Sequence, residues 1–240
     1  MSLPTLEIPT FETILPSTQK KISYRPYLVK EEKILLMALE TEDEKAMIKA
    51  MKDVIRACTF NILDADDMTT YDLEYLFLKI RAKSVGETTQ LQFKCDKCST
   101  FTPILVNLDE IEVSYPGGKK VGPHKIQLTP KIGISLKPLT VRALCRIDTS
   151  TTDKGQLITD LLAGSIETIY DQDKVYHTAE VPQTDVCAFI DTLNRDQLKD
   201  IQTFIENLPH IEKTFTFSCG NKECKHINTH TVKGVKAFFA

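Results

Sequence analysis

The chain has 240 residues, 42% hydrophobic and 26% charged, with 30 basic residues against 33 acidic ones and a net charge of −3. That length suits one large or two small globular domains, and the charge lacks the cationic surplus on which nucleic-acid binding depends. No apolar run reaches the ~20 residues that span a bilayer, and Met1–Glu7 has neither the basic nor the apolar stretch of a secretion signal, so the seven cysteines are expected to stay reduced.

The chain opens with two short predicted strands, Thr10–Leu15 and Lys20–Tyr24, around the turn Pro16–Gln19; Pro26 ends the second. The period becomes helical at Val29. Leu35, Leu36 and Leu39 mark one helix, and Met47, Ile48, Met51, Val54 and Ile55 a second that closes at Cys58, with a polar break at Glu40–Glu44. Asp64–Thr70 is an acidic loop. It is no calcium loop, since Thr69 and Tyr75 stand where glycine and glutamate are needed. Tyr71–Arg81 is a third helix with Leu73, Leu76, Phe77 and Ile80 on one face, stopped by Gly86.

From Thr88 the period is two. Leu91 and Phe93 lead into Cys95, Ile104 and Val106 lead out of Cys98, and Ile111, Val113 and Tyr115 alternate towards the turn Pro116–Gly118. Ile126 to Leu136 is strand-rich. Helices are expected over Thr140–Ile147, Asp153–Ile169, Thr184–Leu193 and from Asn194 to Pro209, with a polar loop at Tyr170–Val181. Phe215 and Phe217 then enter Cys219, and Ile227–Val232 leaves Cys224 as strand. The short basic pairs Lys20-Lys21 and Lys119-Lys120 read as solvated turns.

This pattern predicts an α+β fold with split zinc-ribbon-like β hairpins. Its expected parts are an N-terminal hairpin and helical bundle (1–87), a first zinc-knuckle hairpin with strands (88–137), a helical insert (138–210) and a second knuckle hairpin closing the sheet (211–240).

The chemistry lies in the cysteines. Cys95-x-x-Cys98 and Cys219-x4-Cys224 each sit at the tip of a predicted hairpin. Structural zinc takes four ligands at tetrahedral angles, favours thiolate, and draws them from pairs spaced by two to four residues. A structural zinc ion on Cys95, Cys98, Cys219 and Cys224 is therefore expected, with Gly220 supplying a free backbone in the second turn. His226 and His230 are alternative ligands. Four thiolates leave no open position for a substrate, so the metal is expected to be structural and not catalytic. Cys58, Cys145 and Cys187 fall at helical or apolar positions and read as buried. His124, His177 and His210 are isolated and read as surface. No GxGxxG, GxxxxGK[ST], GxSxG or HExxH motif occurs. The expectation is a non-enzymatic protein with no catalytic residue and no small-molecule substrate.

A resemblance adds to this reading. The helix Tyr71–Glu87 (YDLEYLFLKIRAKSVGE), followed by Cys95-x-x-Cys98 and Asn107–Ile111 (NLDEI), resembles the baseplate hub assembly protein and hub subunit family of T4-type tailed bacteriophages. Tyr24–Leu36, Ile169–Asp171 and the terminal cysteine pair fit the same family, so the resemblance runs through nearly the whole chain. An insertion at Tyr115–Gly122 and the x4 spacing of the second pair depart from its commoner pattern. The resemblance implies a virion or tail-assembly protein, a hub component or chaperone, made in the host bacterial cytoplasm and destined for the tail baseplate. Its partners would be other hub or tail proteins. The runner-up is a zinc-ribbon nucleic-acid-binding or transcription factor, which the charge balance argues against.

Overall fold

The computed structural model describes residues 6–41, 43–118, 124–147 and 153–238. The expectations for Lys119-Lys120 and for the insertion beyond Gly118 lie outside the described residues. The fold is mixed α/β, with seven α-helices and small antiparallel sheets among the described residues. It divides into two compact units. Unit 1 is Met1–Ala65, Tyr71–Ser114 and His210–Ala240; unit 2 is Asp66–Thr70 and Tyr115–Pro209. None of the described helices is long and apolar enough to cross a membrane.

Unit 1 begins with the hairpin of β1 (Phe11–Ile14) and β2 (Lys21–Tyr24). Its turn is fastened to α3 (Thr70–Ser84), where the Asp72 carboxylate accepts from the Ser17 amide at 3.0 Å and from the Ser17 hydroxyl. Helices α1 (Val29–Glu40) and α2 (Glu44–Cys58) follow, the second capped by Asp43. Both pack against each other, and the Arg25 amide donates to the Cys58 carbonyl at 2.9 Å, so the start of α1 lies beside the end of α2. The core holds Val54, Ile55, Leu76, Phe77, Leu78 and Ile80, all fully buried. Helix α3 then carries the hairpin of β3 (Thr88–Lys94) and β4 (Phe101–Asn107). Lys83 reaches Asp109 at 2.7 Å just beyond β4, and the Leu108 amide donates to the Glu87 carbonyl at 2.7 Å. Of the expected strand at Ile111–Tyr115 only β5 (Val113–Ser114) forms. It pairs with the start of β10 (His210–Ser218), which in turn pairs with β11 (Ile227–Lys233) over seven residues.

Unit 2 carries a four-stranded antiparallel sheet in the order β6-β7-β8-β9: His124–Gln127, Gly133–Leu136, Ile166–Tyr170 and Val175–His177. This corrects two sequence expectations. The helix expected over Asp153–Ile169 ends at Ser165 as α5 (Lys154–Ser165), and the chain turns into β8. The expected loop Tyr170–Val181 holds β9 and a 3₁₀ turn. The insert is thus a sheet covered by helices and not helical throughout. Helices α4 (Val141–Arg146), α6 (Gln183–Asp191) and α7 (Arg195–Glu206) complete it. The core unites Ile134 and Leu136 of the sheet with Leu162, Val186, Ile190 and Ile201 of the helices. Asp66–Thr70 of the acidic loop also belongs to this unit. Asp67 pairs with Arg142 at 2.8 Å, and the Met68 carbonyl accepts the Val141 amide at 2.9 Å.

Candidate metal centre

Both cysteine pairs lie at hairpin tips within unit 1, between β3 and β4 and between β10 and β11. Side-chain alternation brings the hairpins together. Leu91, Phe93, Thr102 and Val106 turn inward from the first, and Phe217 and Asn228 from the second. The Phe93 ring packs against Phe215 at 5.3 Å, Phe217 at 5.4 Å and the His230 imidazole at 5.7 Å between ring centres. Polar contacts finish the join: the Asp96 amide donates to Asn228 Oδ1 at 3.0 Å, and the Gly220 amide donates to Thr102 Oγ1 at 2.9 Å.

Cys98 Sγ then lies 3.5 Å from Cys219 Sγ and Cys95 Sγ lies 4.0 Å from Cys224 Sγ, and all four sulfurs fall within 4.8 Å of one another. Four sulfurs at ~2.3 Å around a tetrahedral zinc are separated by about 3.8 Å, the edge of that tetrahedron. The observed spacings bracket this figure, so the donor set fits such an ion.

The turns prepare the sulfurs for negative charge. The Asn221 amide donates to Cys219 Sγ at 3.4 Å, and backbone amides favour the thiolate at the other three as well: those of Cys98 and Lys97 at Cys95, of Thr100 at Cys98 and of His226 at Cys224. The residue after each second cysteine, Ser99 and Lys225, has a positive φ of 60° and 48°. That left-handed step turns the following amides back toward the sulfur. Gly220 does not take a positive φ, so the freedom expected of it is not what shapes the second turn. The Thr100 hydroxyl, 3.3 Å from the Cys98 sulfur, and the Thr100 amide pull the Cys98 thiol down to about 6. The Asn221 amide also favours the Cys219 thiolate, but burial and the neighbouring sulfurs outweigh it and push that thiol up to about 12. Four sulfurs this close repel as they ionise, and a bound cation removes that repulsion.

The cluster consists of the four cysteines foreseen from spacing; neither imidazole joins it. His226 is exposed, and His230 Nε2 lies 3.4 Å from Asp96 Oδ1. Of the other cysteines only Cys58 is fully buried, its thiol pushed up to about 11 by burial; Cys145 and Cys187 are half-buried. His124 and His177 are exposed, as read from the sequence, with His124 stacking on Phe204, whereas His210 is half-buried and bonds Glu212 at 3.0 Å. Sequence reasoning missed Thr102 and Asn228, which join the two turns. Asn228 had one signal, a polar residue at the inward position of a strand.

Fold and site together define a class: a mixed α/β protein in which two hairpins remote in sequence converge on a four-cysteine cluster able to hold a metal. The chain belongs to the family of T4 bacteriophage base plate proteins, whose sequence profile matches residues 8–240. No curated protein and no solved structure gives a significant match.

Proposed function

We propose that this protein is a non-enzymatic component or assembly factor of the central hub of a phage tail baseplate, and that Cys95, Cys98, Cys219 and Cys224 hold one structural zinc ion. The observation that carries the metal reading is the convergence of four sulfurs within 4.8 Å from turns about 120 residues apart. Zinc would neutralise the thiolates and bind the two hairpins to each other, with no position left for a substrate. Family membership over residues 8–240 supports the tail setting and other tail proteins as partners. The resemblance of Tyr71–Glu87 and its flanking motifs supports the hub in particular, with assembly in the host cytoplasm.

Metal analysis of purified protein tests the zinc. One equivalent per chain is expected; less than about half, with all four thiols freely alkylated, overturns it. Mass spectrometry of purified virions and of assembly intermediates tests the role. Recovery with hub proteins at some stage is expected, and absence from every stage overturns it.

A further inference from the structure

The four clustered sulfurs are near enough to bond to one another as well as to a shared ion, and the turns that carry them favour one way of pairing. Four cysteines allow three pairings. In each turn the first cysteine is anchored to its hairpin. The Cys95 amide donates to the Thr100 carbonyl at 2.9 Å, and the Cys219 amide donates to the His226 carbonyl at 2.8 Å. Both of these cysteines are buried. The second cysteines, Cys98 and Cys224, lie inside the loops that those bonds close, and both are half-buried. The Cys224 amide has a local turn bond, to the Asn221 carbonyl at 3.1 Å.

Two sulfur contacts cross the join, and each runs from an anchored cysteine to a loop cysteine of the other hairpin. Cys98 Sγ lies 3.5 Å from Cys219 Sγ, and Cys95 Sγ lies 4.0 Å from Cys224 Sγ. A disulfide needs about 2.05 Å between its sulfurs. Each contact therefore closes by about 1.5–2 Å, with a loop cysteine moving onto an anchored one. Pairing Cys95 with Cys219 would instead draw two anchored strand ends together.

We infer that a peroxide converts this cluster into two disulfides, Cys98–Cys219 and Cys95–Cys224, so that the two hairpins stay joined when the metal is lost. The inference rests on the reading of the four cysteines as one zinc site. The half-buried sulfurs meet the oxidant first, and the buried ones resolve the product. The Cys98 thiolate attacks one peroxide oxygen, the O–O bond breaks, and the departing hydroxide takes a proton and leaves as water. The sulfenic acid left at Cys98 is attacked by the Cys219 thiolate. The S–S bond forms, and a second hydroxide takes a proton and leaves as water. Two electrons have then passed from the sulfurs to one peroxide. The same steps at Cys224 and Cys95 use a second peroxide. With no thiolate remaining, the cluster has no ligand for a cation. A reducing cytosol keeps cysteines as thiols, whereas a particle outside the cell lacks that supply of reductant. A clasp with a metal form and a disulfide form holds in both settings.

The test uses the purified full-length chain, with its zinc content measured first. Hydrogen peroxide is added stepwise without reductant, and released zinc is read with a chromogenic chelator. Remaining thiols are blocked with N-ethylmaleimide, and disulfides are mapped by mass spectrometry after digestion at acid pH. Expected are peptides joining Cys98 to Cys219 and Cys95 to Cys224, with about one zinc released for two peroxides consumed. Amide exchange across Thr88–Asn107 and His210–Lys233 should stay slow in oxidised protein with chelator, and rise about tenfold once dithiothreitol is added. In the Cys98→Ser chain, Cys95–Cys224 should still form while Cys219 stays open to alkylation; the wild-type map decides alone if that variant does not fold. Links within each turn, links Cys95–Cys219 with Cys98–Cys224, links between chains, or sulfinic acids without disulfides overturn the inference. Any of these in protein purified with zinc overturns the inference alone. Protein that neither holds nor takes up zinc overturns the metal reading and this exchange with it.

Discussion

Two glutamates of unit 1 respond to pH with opposite sign. Burial opposes ionisation of Glu31, but the Arg25 guanidinium at 2.9 Å and the Leu28 amide at 2.9 Å outweigh it and hold the carboxyl below its ordinary 4.5. Its stabilising contribution is present above that value and is lost as pH falls through the lowered one. Glu74 is the reverse. Burial pushes it up to about 7, although the Val235 amide donates to it and His210 lies near. The fold therefore favours its protonated form, and stability falls as pH rises from 4.5 to 7. The gap of about 2.5 pH units corresponds to roughly 3 kcal/mol. Glu74→Gln should be more stable than wild type at pH 8 and nearly equal to it at pH 4.5, read by urea unfolding at both. Arg25→Ala should cost up to about 3–5 kcal/mol by leaving the buried Glu31 carboxylate with only the Leu28 amide and the exposed Lys30 ammonium at 3.5 Å, and Arg25→Met with Glu31→Leu should recover most of that loss in the same assay.

Elements show which physical signals survive in a sequence. Period-two alternation with paired cysteines made the β3–β4 and β10–β11 hairpins legible, and helical spacing made α1, α2 and α3 legible. The α5–β8 boundary was not, because Leu161, Leu162, Ile166 and Ile169 continue a helical spacing without a break. What ends the helix is tertiary: the Lys137 amide of the neighbouring strand end donates to the Ser165 carbonyl at 2.9 Å, and Ile166, Thr168, Ile169 and Tyr170 pair with β7, the register shifting at Glu167. The run of β-branched residues was the signal available. Strand β9 was hidden because its three residues are all exposed, so no burial pattern exists to be read. The hairpin join was equally hidden, since Asn228 acts across 132 residues. Asn228→Ala should remove the acceptor for the Asp96 amide, cost about 1–3 kcal/mol, and weaken metal retention about 10–100-fold. Competition with a chromogenic chelator measures the second effect and urea unfolding the first.

At the level of the molecule, the two units should answer metal removal differently. Unit 2 has its own core and none of the four clustered cysteines. A strong chelator at neutral pH should raise amide exchange across Thr88–Asn107 and His210–Lys233, while the sheet β6-β7-β8-β9 keeps its protection. Equal loss of protection in both units would contradict this division. The placement of the two cysteine turns also sets a clock. When Asn107 completes the first hairpin, about 120 residues must still be synthesised before Cys224 exists. At roughly 5–20 residues per second that is a wait of about 6–24 s. Throughout it Cys95 and Cys98 face the cell without their partner turn, while residues 115–209 emerge and can pack on themselves. Unit 1 is thus begun before unit 2 and closed after it, and its closure reports that residues 115–209 have already been made.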